Sequence, residues 1–292
     1  MAMVLGGAVE RLLTFLRGTG SGDSSSLDQP IKMPSHVIYV HWRFDRPAEA
    51  WEWDLTIHVD PGTEVGEYLA VFNGSIDDAP CYLGLQTNVS HPGTGRGIGK
   101  GLIFSTWSSF DESDSRIAVD GFRELGTHEG RFVGIRKPFQ WTTGDYRIRL
   151  SRSESEVVDG RGMDWFDLSV TPVGAITPVL SRPEPIGPSV WVGALRFPRR
   201  VRHRAATVRS GGLLFLEVYS GARTWSDVTP WYLDVMAYAD GVRCPSGRTE
   251  YPSFPHGQRM PNANVGYDPT RGRAVLKVGA GVVKKDPPGG WP

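Results

Sequence analysis

Two carboxylates in the segment WEWDLTIHV (51–59) have a spacing that suits acid–base chemistry. On an extended strand Glu52 and Asp54 share one face and lie about 7 Å apart. A pair of carboxyl groups at such a separation can serve as acid and base in glycoside cleavage. The alternation with Trp51 and Trp53 equally suits the polar face of a half-buried strand. The pattern therefore leaves a catalytic and a purely structural interpretation open.

A second set of polar and aromatic residues falls between positions 82 and 146. Amide, imidazole, carboxylate and guanidinium groups bind sugar hydroxyls, and flat aromatic rings pack on the C–H faces of sugars. Alternatively, the tryptophans are core residues and the glutamine caps a sheet edge. The candidate ligand-binding residues are Tyr82, Gln86, Asn88, Trp107, His128, Glu129, Arg136 and Trp141.

His128 and Glu129 are adjacent in sequence and are the other candidates for proton transfer. Neighbouring residues on a strand point to opposite faces, so this pair can act together only within a turn. The weak catalytic candidates are thus Glu129, His128, Glu52 and Asp54. The seven histidines show no metal-binding spacing, so we predict no metal site and no cofactor.

Three further segments resemble ligand-binding motifs, but each also fits an ordinary loop. The acidic stretch 110–121 lacks the glycine and terminal glutamate of a calcium loop and favours a solvated turn. The glycine-rich stretch 93–101 lacks the Ser or Thr of a phosphate-binding loop, so we predict a mobile loop over the polar face. The arginine-rich stretch 196–209 could bind an anion, but a solvated loop beside an edge strand fits it better.

Twelve segments show the period-two alternation of β-strands, separated by turn residues at intervals of about 10–20 residues. No helical patterns intervene, which favours an antiparallel β-sandwich of the jelly-roll or concanavalin-like kind over βαβ units. The predicted domain covers residues 31–292. The proline-rich segment 171–188 is a crossover along the sandwich edge or a boundary between two subdomains.

The one convincing helical pattern lies at the N-terminus. Residues 3–17 place apolar side chains on one face, which predicts an amphipathic helix within residues 1–17. Residues 18–30 are rich in Gly, Ser and Asp and predict a flexible linker. The helix could dock on the sandwich, bind a protein partner or contact a membrane surface.

The overall composition excludes several functional classes. The chain has 32 basic and 32 acidic residues and hence a formal net charge of zero, so no global field favours nucleic acid or an anionic membrane. No apolar run reaches the length of a membrane span. The N-terminus lacks a good secretory signal, which predicts a cytoplasmic protein. Cys81 and Cys244 could form one bridge, but two buried thiols fit better.

Four segments together resemble a known family: YLGLQTN (82–88), GLIFSTW (101–107), THEG (127–130) and FQWTTGDYRIRL (139–150). They are similar to the bacterial domain of unknown function family 3472, over about residues 60–200. The loop ThrHisGluGly differs from the glycine-rich loop of that family. The resemblance implies a β-sandwich of lectin-like build and implies no particular reaction.

These observations support three functional hypotheses. The first is a non-catalytic module that binds a glycan or a similar polyhydroxylated ligand through the 82–146 set. The second is a hydrolase or lyase acting on glycans through carboxylates on the sandwich face. The third is an intracellular structural or assembly protein tethered to a partner by its N-terminal helix.

Overall fold

The computed structural model describes residues 27–127, 130–176, 182–201 and 204–284, which form seventeen strands and no α-helix. Two short 3-10 helices, Glu112–Asp114 and Trp225–Asp227, complete the regular structure of this part of the chain. The strands are β1 (Ser35–Arg43), β2 (Ala50–Val59), β3 (Gly66–Ile76), β4 (Ala79–Gln86), β5 (Gly101–Thr106), β6 (Ser115–Ile117), β7 (Phe122–Gly126), β8 (Phe132–Pro138), β9 (Gly144–Val158), β10 (Arg161–Pro172), β11 (Val190–Pro198), β12 (Gly211–Ser220), β13 (Trp231–Ala239), β14 (Val242–Arg243), β15 (Ser246–Glu250), β16 (Ala263–Asp268) and β17 (Arg273–Val278).

The strands pair in two antiparallel sheets that pack face to face. The first sheet has the order β15-β1-β12-β3-β4-β5-β8-β7, and the second has the order β16-β17-β13-β2-β9-β10-β11-β6, with β14 beside β13. The chain passes between the two layers repeatedly, for example from β1 to β2 and back to β3, so strands distant in sequence such as β1 and β12 become neighbours. The predicted all-β sandwich is confirmed.

The core lies between the sheets and is built by the period-two alternation of the strands. In β2, Trp51 and Trp53 are fully buried and pack with Phe72 of β3, at ring-centroid distances of 5.0 and 5.6 Å. At another point of the core, Trp141 stacks on Trp231 at 5.3 Å. Burying each such side chain contributes about 2–3 kcal/mol, so these aromatic contacts hold the two layers together.

Strands on both sides of the segment 171–188 pair directly with each other. β12 lies between β1 and β3, and β13 lies beside β2. The described residues before and after this segment therefore share the same two sheets. The part of this segment that begins at Arg182 also lies on the second sheet, where Arg182 contacts Glu52 of β2.

The predicted N-terminal helix 3–17 and most of the predicted linker 18–30 lie outside the described residues. Residues 27–30 of that linker are described and are attached to the sandwich rather than free. The amide of Gln258 donates to the carbonyl oxygen of Pro30 at 2.9 Å. Leu27 and Pro30 thus contact the sandwich through their carbonyl oxygens, and the flexible linker stays a prediction.

Both cysteines are buried free thiols. Cys81 points into the core from β4, and Cys244 follows β14 with its Sγ 3.2 Å from the carbonyl oxygen of Arg43. Within the part of the chain that the structure describes, no helix is long and apolar enough to cross a membrane.

Candidate functional site

The outer face of the first sheet carries an unusual number of aromatic rings. In β4, Cys81, Leu83 and Leu85 point into the core, so alternation turns Tyr82 and Gln86 outward. The same rule applies in the neighbouring strands, which direct further rings away from the core. This outward surface is called the aromatic face below.

Five rings form a continuous row across the aromatic face. The ring centroids lie 4.9 Å apart for Trp107 and Tyr82, 5.6 Å for Tyr82 and Tyr68, 5.6 Å for Tyr68 and Phe215, and 4.4 Å for Phe215 and His36. The row runs from the end of β5 over β4, β3 and β12 to β1. Because paired strands are spaced by about 4.8 Å, a row over four such spacings extends for about 20 Å.

The two central rings of this row are covered by neighbouring side chains. Tyr68 is 3% exposed and Phe215 is 6% exposed, although both point away from the core. Beside these rings the sheet carries two small residues, Ala70 of β3 and Gly84 of β4, which are paired with each other. A Cβ at Gly84 would lie 1.9 Å from the carbonyl oxygen of Leu69, so only glycine fits this close approach.

The glycine-rich segment forms an ordered rim beside the aromatic face. The Tyr219 hydroxyl donates to the carbonyl oxygen of Asn88 at 2.7 Å, and Arg136 donates to the carbonyl oxygen of Ser90 at 3.1 Å. Backbone hydrogen bonds between residues 89 and 99 close the segment into a hairpin-like turn. The predicted loop therefore lies beside the polar face, where Tyr219 and Arg136 bind the carbonyl oxygens of Asn88 and Ser90 just before it.

Hydrogen-bonding groups lie near the row. The side-chain oxygen of Gln86 is buried and has no hydrogen-bond partner among the described residues. Arg136 donates through Nε to Glu124 at 2.7 Å, which holds the guanidinium against the sheet. Such amide and guanidinium groups beside aromatic rings supply both kinds of contact that a sugar requires.

The β1 end of the row contains the densest cluster of titratable residues on the aromatic face. His36 hydrogen-bonds to Tyr39, with 2.7 Å between Nδ1 and the hydroxyl oxygen, and its Nε2 lies 3.3 Å from Glu217. On the other side of Tyr39, the Nε2 of His41 lies 3.4 Å from Glu250. Burial and the charges of the two glutamates raise the pKa of Tyr39. The hydrogen bond from His41 lowers the pKa of Glu250.

The predicted ligand-binding residues separate into groups. Tyr82, Gln86 and Arg136 lie on the aromatic face, and Trp107 joins them through its contact with Tyr82. Asn88 lies beyond the end of β4, and its side chain accepts from the backbone N–H of Gly99, so it supports the rim instead of extending the face.

Trp141 lies apart from the aromatic face. Trp141 is fully buried in the core, where it stacks on Trp231, so its assignment as a ligand-binding residue is wrong. The apolar packing between the sheets removes it from any ligand. His128 and Glu129 lie outside the described residues.

The carboxylates Glu52 and Asp54 lie on the outer face of the second sheet and are closed off by arginines. Arg147 binds Asp54 through two nitrogens, at 2.6 and 3.0 Å, and Arg182 bridges Glu52 and Asp54 at 2.6 and 3.3 Å. Arg149 also binds Glu52, at 2.7 Å. Although burial opposes it, hydrogen bonds from Arg182 and Arg149 lower the pKa of Glu52. The lowered pKa of Glu52 and the ion pairs of both carboxylates with arginines do not favour a role in proton donation.

The arginine-rich segment is also used internally. Arg199 binds the fully buried carboxylate of Asp164 through two nitrogens, at 3.0 and 2.8 Å. Arg196 binds Glu156 at 3.0 Å, and it holds Asp114 in the acidic segment 110–121. Arg196 and Arg199 are thus ion-paired against the sandwich, whereas Arg200 and Arg209 of the arginine-rich segment and Glu112 and Asp120 of the acidic segment are largely exposed, as expected for solvated loops.

The sequence analysis missed the cluster of His36, Tyr39 and His41. Tyr39 and His41 alternate along β1, but His36 is three residues from Tyr39 and should face the other way. A bulge between His36 and Ile38 turns His36 onto the same face. The pattern His-x-x-Tyr-x-His in an otherwise apolar strand was the available signal.

No three His, Cys, Asp or Glu side chains among the described residues converge into a group that could hold a metal ion. Comparison with known families finds no family model that matches this chain, and comparison with curated proteins finds no significant relative. The resemblance to family 3472 stays a prediction.

Proposed function

We propose that the protein binds a neutral glycan along the aromatic face of the first sheet. The observation that carries the proposal is the row of five rings from Trp107 to His36 on an outer sheet face, of which Trp107, Tyr82 and His36 are partly exposed. Flat aromatic surfaces favour the C–H faces of pyranose rings, and a row about 20 Å long offers room for several sugar units.

The pairing of charges on the aromatic face supports an uncharged ligand. Arg136 binds Glu124, His36 lies against Glu217, and Glu250 lies against both His41 and Arg248. An anionic sugar would have to displace one of these carboxylates from its partner. A neutral sugar needs hydrogen bonds alone.

The sandwich architecture is compatible with this role. We propose that its two layers have the lectin-like, jelly-roll or concanavalin-like build that the sequence suggested. Such sheets present one broad outer face on which an extended ligand can lie across the strands. The aromatic row also runs across the strands, which is consistent with that mode of binding.

The class of ligand is tested with a glycan array probed by the full chain. We expect binding to neutral polysaccharides or oligosaccharides of several units, and weak or no binding to uronate-rich and sulfated glycans of similar length. Binding confined to anionic glycans would contradict a neutral ligand. The absence of binding to every glycan on the array would contradict the proposed function.

A further inference from the structure

A cleft of about 520 Å³ opens on the outer face of the second sheet, at the end where β9, β10 and β11 lie side by side. In β10, Phe166 and Leu168 point into the core, so the alternation of the strand directs Met163 outward. Pro198 of β11 is the cross-strand partner of Met163, and Val158 of β9 lines the same cleft. These three side chains form an apolar floor in a cleft of a size that suits small molecules.

The wall of the cleft is a chain segment that the sandwich holds in place. Residues 108–114 follow β5 of the first sheet, lead to β6 of the second sheet and line one side of the cleft. Arg123 of β7 fixes this segment by donating to the carboxylate of Glu112 at 3.2 Å and to the carbonyl oxygen of Ser115 at 3.1 Å. A wall that is fixed in advance lowers the cost of ordering side chains when a ligand binds.

One pair of opposite charges in the cleft is already neutralised. Arg196 donates through Nε to Asp114 at 2.5 Å and through Nη1 to Glu156 at 3.0 Å. The hydroxyl of Ser109 donates to the other carboxylate oxygen of Asp114. These groups therefore shape the cleft, but neither Arg196 nor Asp114 supplies an unpaired charge.

Two further charged side chains at the cleft are unpaired. Asp159 and Arg161 are exposed, line the cleft and lie at the hairpin between β9 and β10. Neither side chain makes an ion pair or a hydrogen bond with another residue of the part of the chain that the structure describes. Because they are two residues apart, their Cα atoms are separated by at most about 7 Å. The rim of the cleft thus presents one free carboxylate and one free guanidinium close together.

We propose that this cleft binds a small zwitterion with an apolar side chain, such as an aliphatic amino acid or an apolar dipeptide. The guanidinium of Arg161 binds the ligand carboxylate through two N–H groups, and the ligand ammonium group donates to Asp159. The ligand side chain packs on the apolar floor at Met163. This site is independent of glycan binding, because it lies on the second sheet and the aromatic face lies on the first.

The charges and the lining of the cleft disfavour other classes of ligand. A simple anion would meet the carboxylates of Asp114 and Asp159, and a simple cation would meet the guanidinium groups of Arg161 and Arg196. A sugar would find no aromatic ring among the described residues that line the cleft. A ligand that carries both charges and an apolar group matches all parts of the lining.

The test is an NMR titration of the full chain labelled at its methionine methyl groups. Met163 reports on the floor of the cleft, and Met260 reports on the buried core. We expect leucine or leucyl-leucine to shift the Met163 signal saturably and to leave the Met260 signal unchanged. Met163→Leu identifies the signal.

Two analogues of leucine separate the contributions of the two charges. Leucinamide lacks the carboxylate, and isocaproate lacks the ammonium group. Each should bind about tenfold or more weakly than leucine, because each loses the hydrogen bonds of one charged group. Equal binding of leucine and isocaproate by the wild type would contradict a zwitterionic ligand.

Variants of the two unpaired residues locate the site. Arg161→Gln and Asp159→Asn should each weaken the binding of leucine or leucyl-leucine by about tenfold. In Asp159→Asn, leucine should bind no more tightly than isocaproate. Asparagine tolerates the φ of 49° at position 159, so the hairpin keeps its shape. Arg46→Gln, at an exposed arginine between β1 and β2, is the matched control and should leave the affinity unchanged.

Two other results would overturn the proposal. The first is the absence of a saturable shift of the Met163 signal with both leucine and leucyl-leucine at millimolar concentrations. The second is unchanged affinity in Arg161→Gln and Asp159→Asn, with thermal unfolding showing that both variants are folded. Neither result bears on glycan binding, which the glycan array tests separately.

Discussion

At the scale of single residues, Glu67 of β3 is the most unusual carboxylate of the part of the chain that the structure describes. It is fully buried, the hydroxyl of Thr229 approaches Oε2 at 3.4 Å, and Oε1 has no hydrogen-bond partner among the described residues. Burial raises its pKa to about 8. The folded protein therefore holds a proton on Glu67 at pH values at which the unfolded chain has lost it.

The pH dependence of stability follows from this shift. Because the folded pKa exceeds the unfolded value of 4.5, the stabilising contribution is complete below about pH 4.5 and is lost as the pH rises to about 8. In that window the free energy of unfolding should fall by about 1.4 kcal/mol per pH unit from this group. Glu67→Gln should remove this slope. Urea denaturation at several pH values between about pH 5 and pH 8, the window that linkage gives, measures it. Parallel profiles for wild type and variant would contradict the assignment; Glu154→Gln, on an exposed residue, is the control.

Gly84 is a second prediction at this scale. A Cβ at this position would lie 1.9 Å from the backbone oxygen of Leu69, which cannot move without disturbing the β3–β4 ladder. Gly84→Ala should lower the free energy of unfolding by about 1–3 kcal/mol, the usual cost of overpacking. Gly266→Ala in β16 has no atom within 4 Å of the added carbon and should change stability little. Equal effects in chemical denaturation would contradict the close approach.

At the scale of elements, a cluster of ion pairs on the second sheet attaches Arg182, in the segment 171–188, to β2. Arg182 bridges Glu52 and Asp54, and its guanidinium lies 3.9 Å from the ring centroid of Tyr238. Arg182→Ala should lower the free energy of unfolding by about 1–3 kcal/mol, because hydrogen bonds to buried charged groups are lost. Arg200→Ala, which removes an exposed pair with Asp78, should cost less than about 1 kcal/mol.

The Arg182 effect should depend on pH. Since the folded pKa of Glu52 is lowered, its pairing stabilises the fold above the unfolded value and is lost as the pH falls through the folded value. The difference between wild type and Arg182→Ala should therefore shrink in acid, below about pH 4. A difference that stays constant to pH 3, a value at which unfolded glutamate is protonated, would contradict an ionic origin.

The strands that could be predicted from sequence are those in which one face is apolar. β2 and β13 alternate Trp, Leu and Val with polar residues, so the period of two is visible. The unpredicted strands are β6, β7, β14, β15 and β16, which are short and lie at or near sheet edges. SGRTE in β15 and FRELG in β7 carry few apolar residues, because an edge strand has less core to cover.

At the scale of the whole molecule, composition and the period-two alternation predicted the fold class, but the sequence predicted only part of the candidate site. Tyr82, Gln86 and Arg136 share a face because they occupy alternating positions on neighbouring strands. Trp141 could not be separated from them by sequence, since a core tryptophan and a binding tryptophan have the same residue type. The bulge that brings His36 to Tyr39 depends on strand pairing, and the alternation of residue types in the sequence does not reveal it.

Glycan binding on the aromatic face requires that the outer face of the first sheet, and not another exposed aromatic ring, holds the ligand. Trp191 offers the matched comparison, because it is 39% exposed on the second sheet. Trp107 and Tyr82 lie at the open end of the row, where their rings are half-buried and can be truncated without opening the core between the sheets.

The most direct test is calorimetric titration of the full chain with the neutral polysaccharide that it binds best. Trp107→Ala and Tyr82→Ala should each weaken binding by about tenfold or more, equivalent to about 1.4 kcal/mol, while Trp191→Ala leaves the affinity unchanged. Thermal unfolding of each variant establishes that the sandwich stays folded. Unchanged affinity in the folded Trp107→Ala and Tyr82→Ala variants, or a loss confined to Trp191→Ala, would contradict glycan binding on the aromatic face.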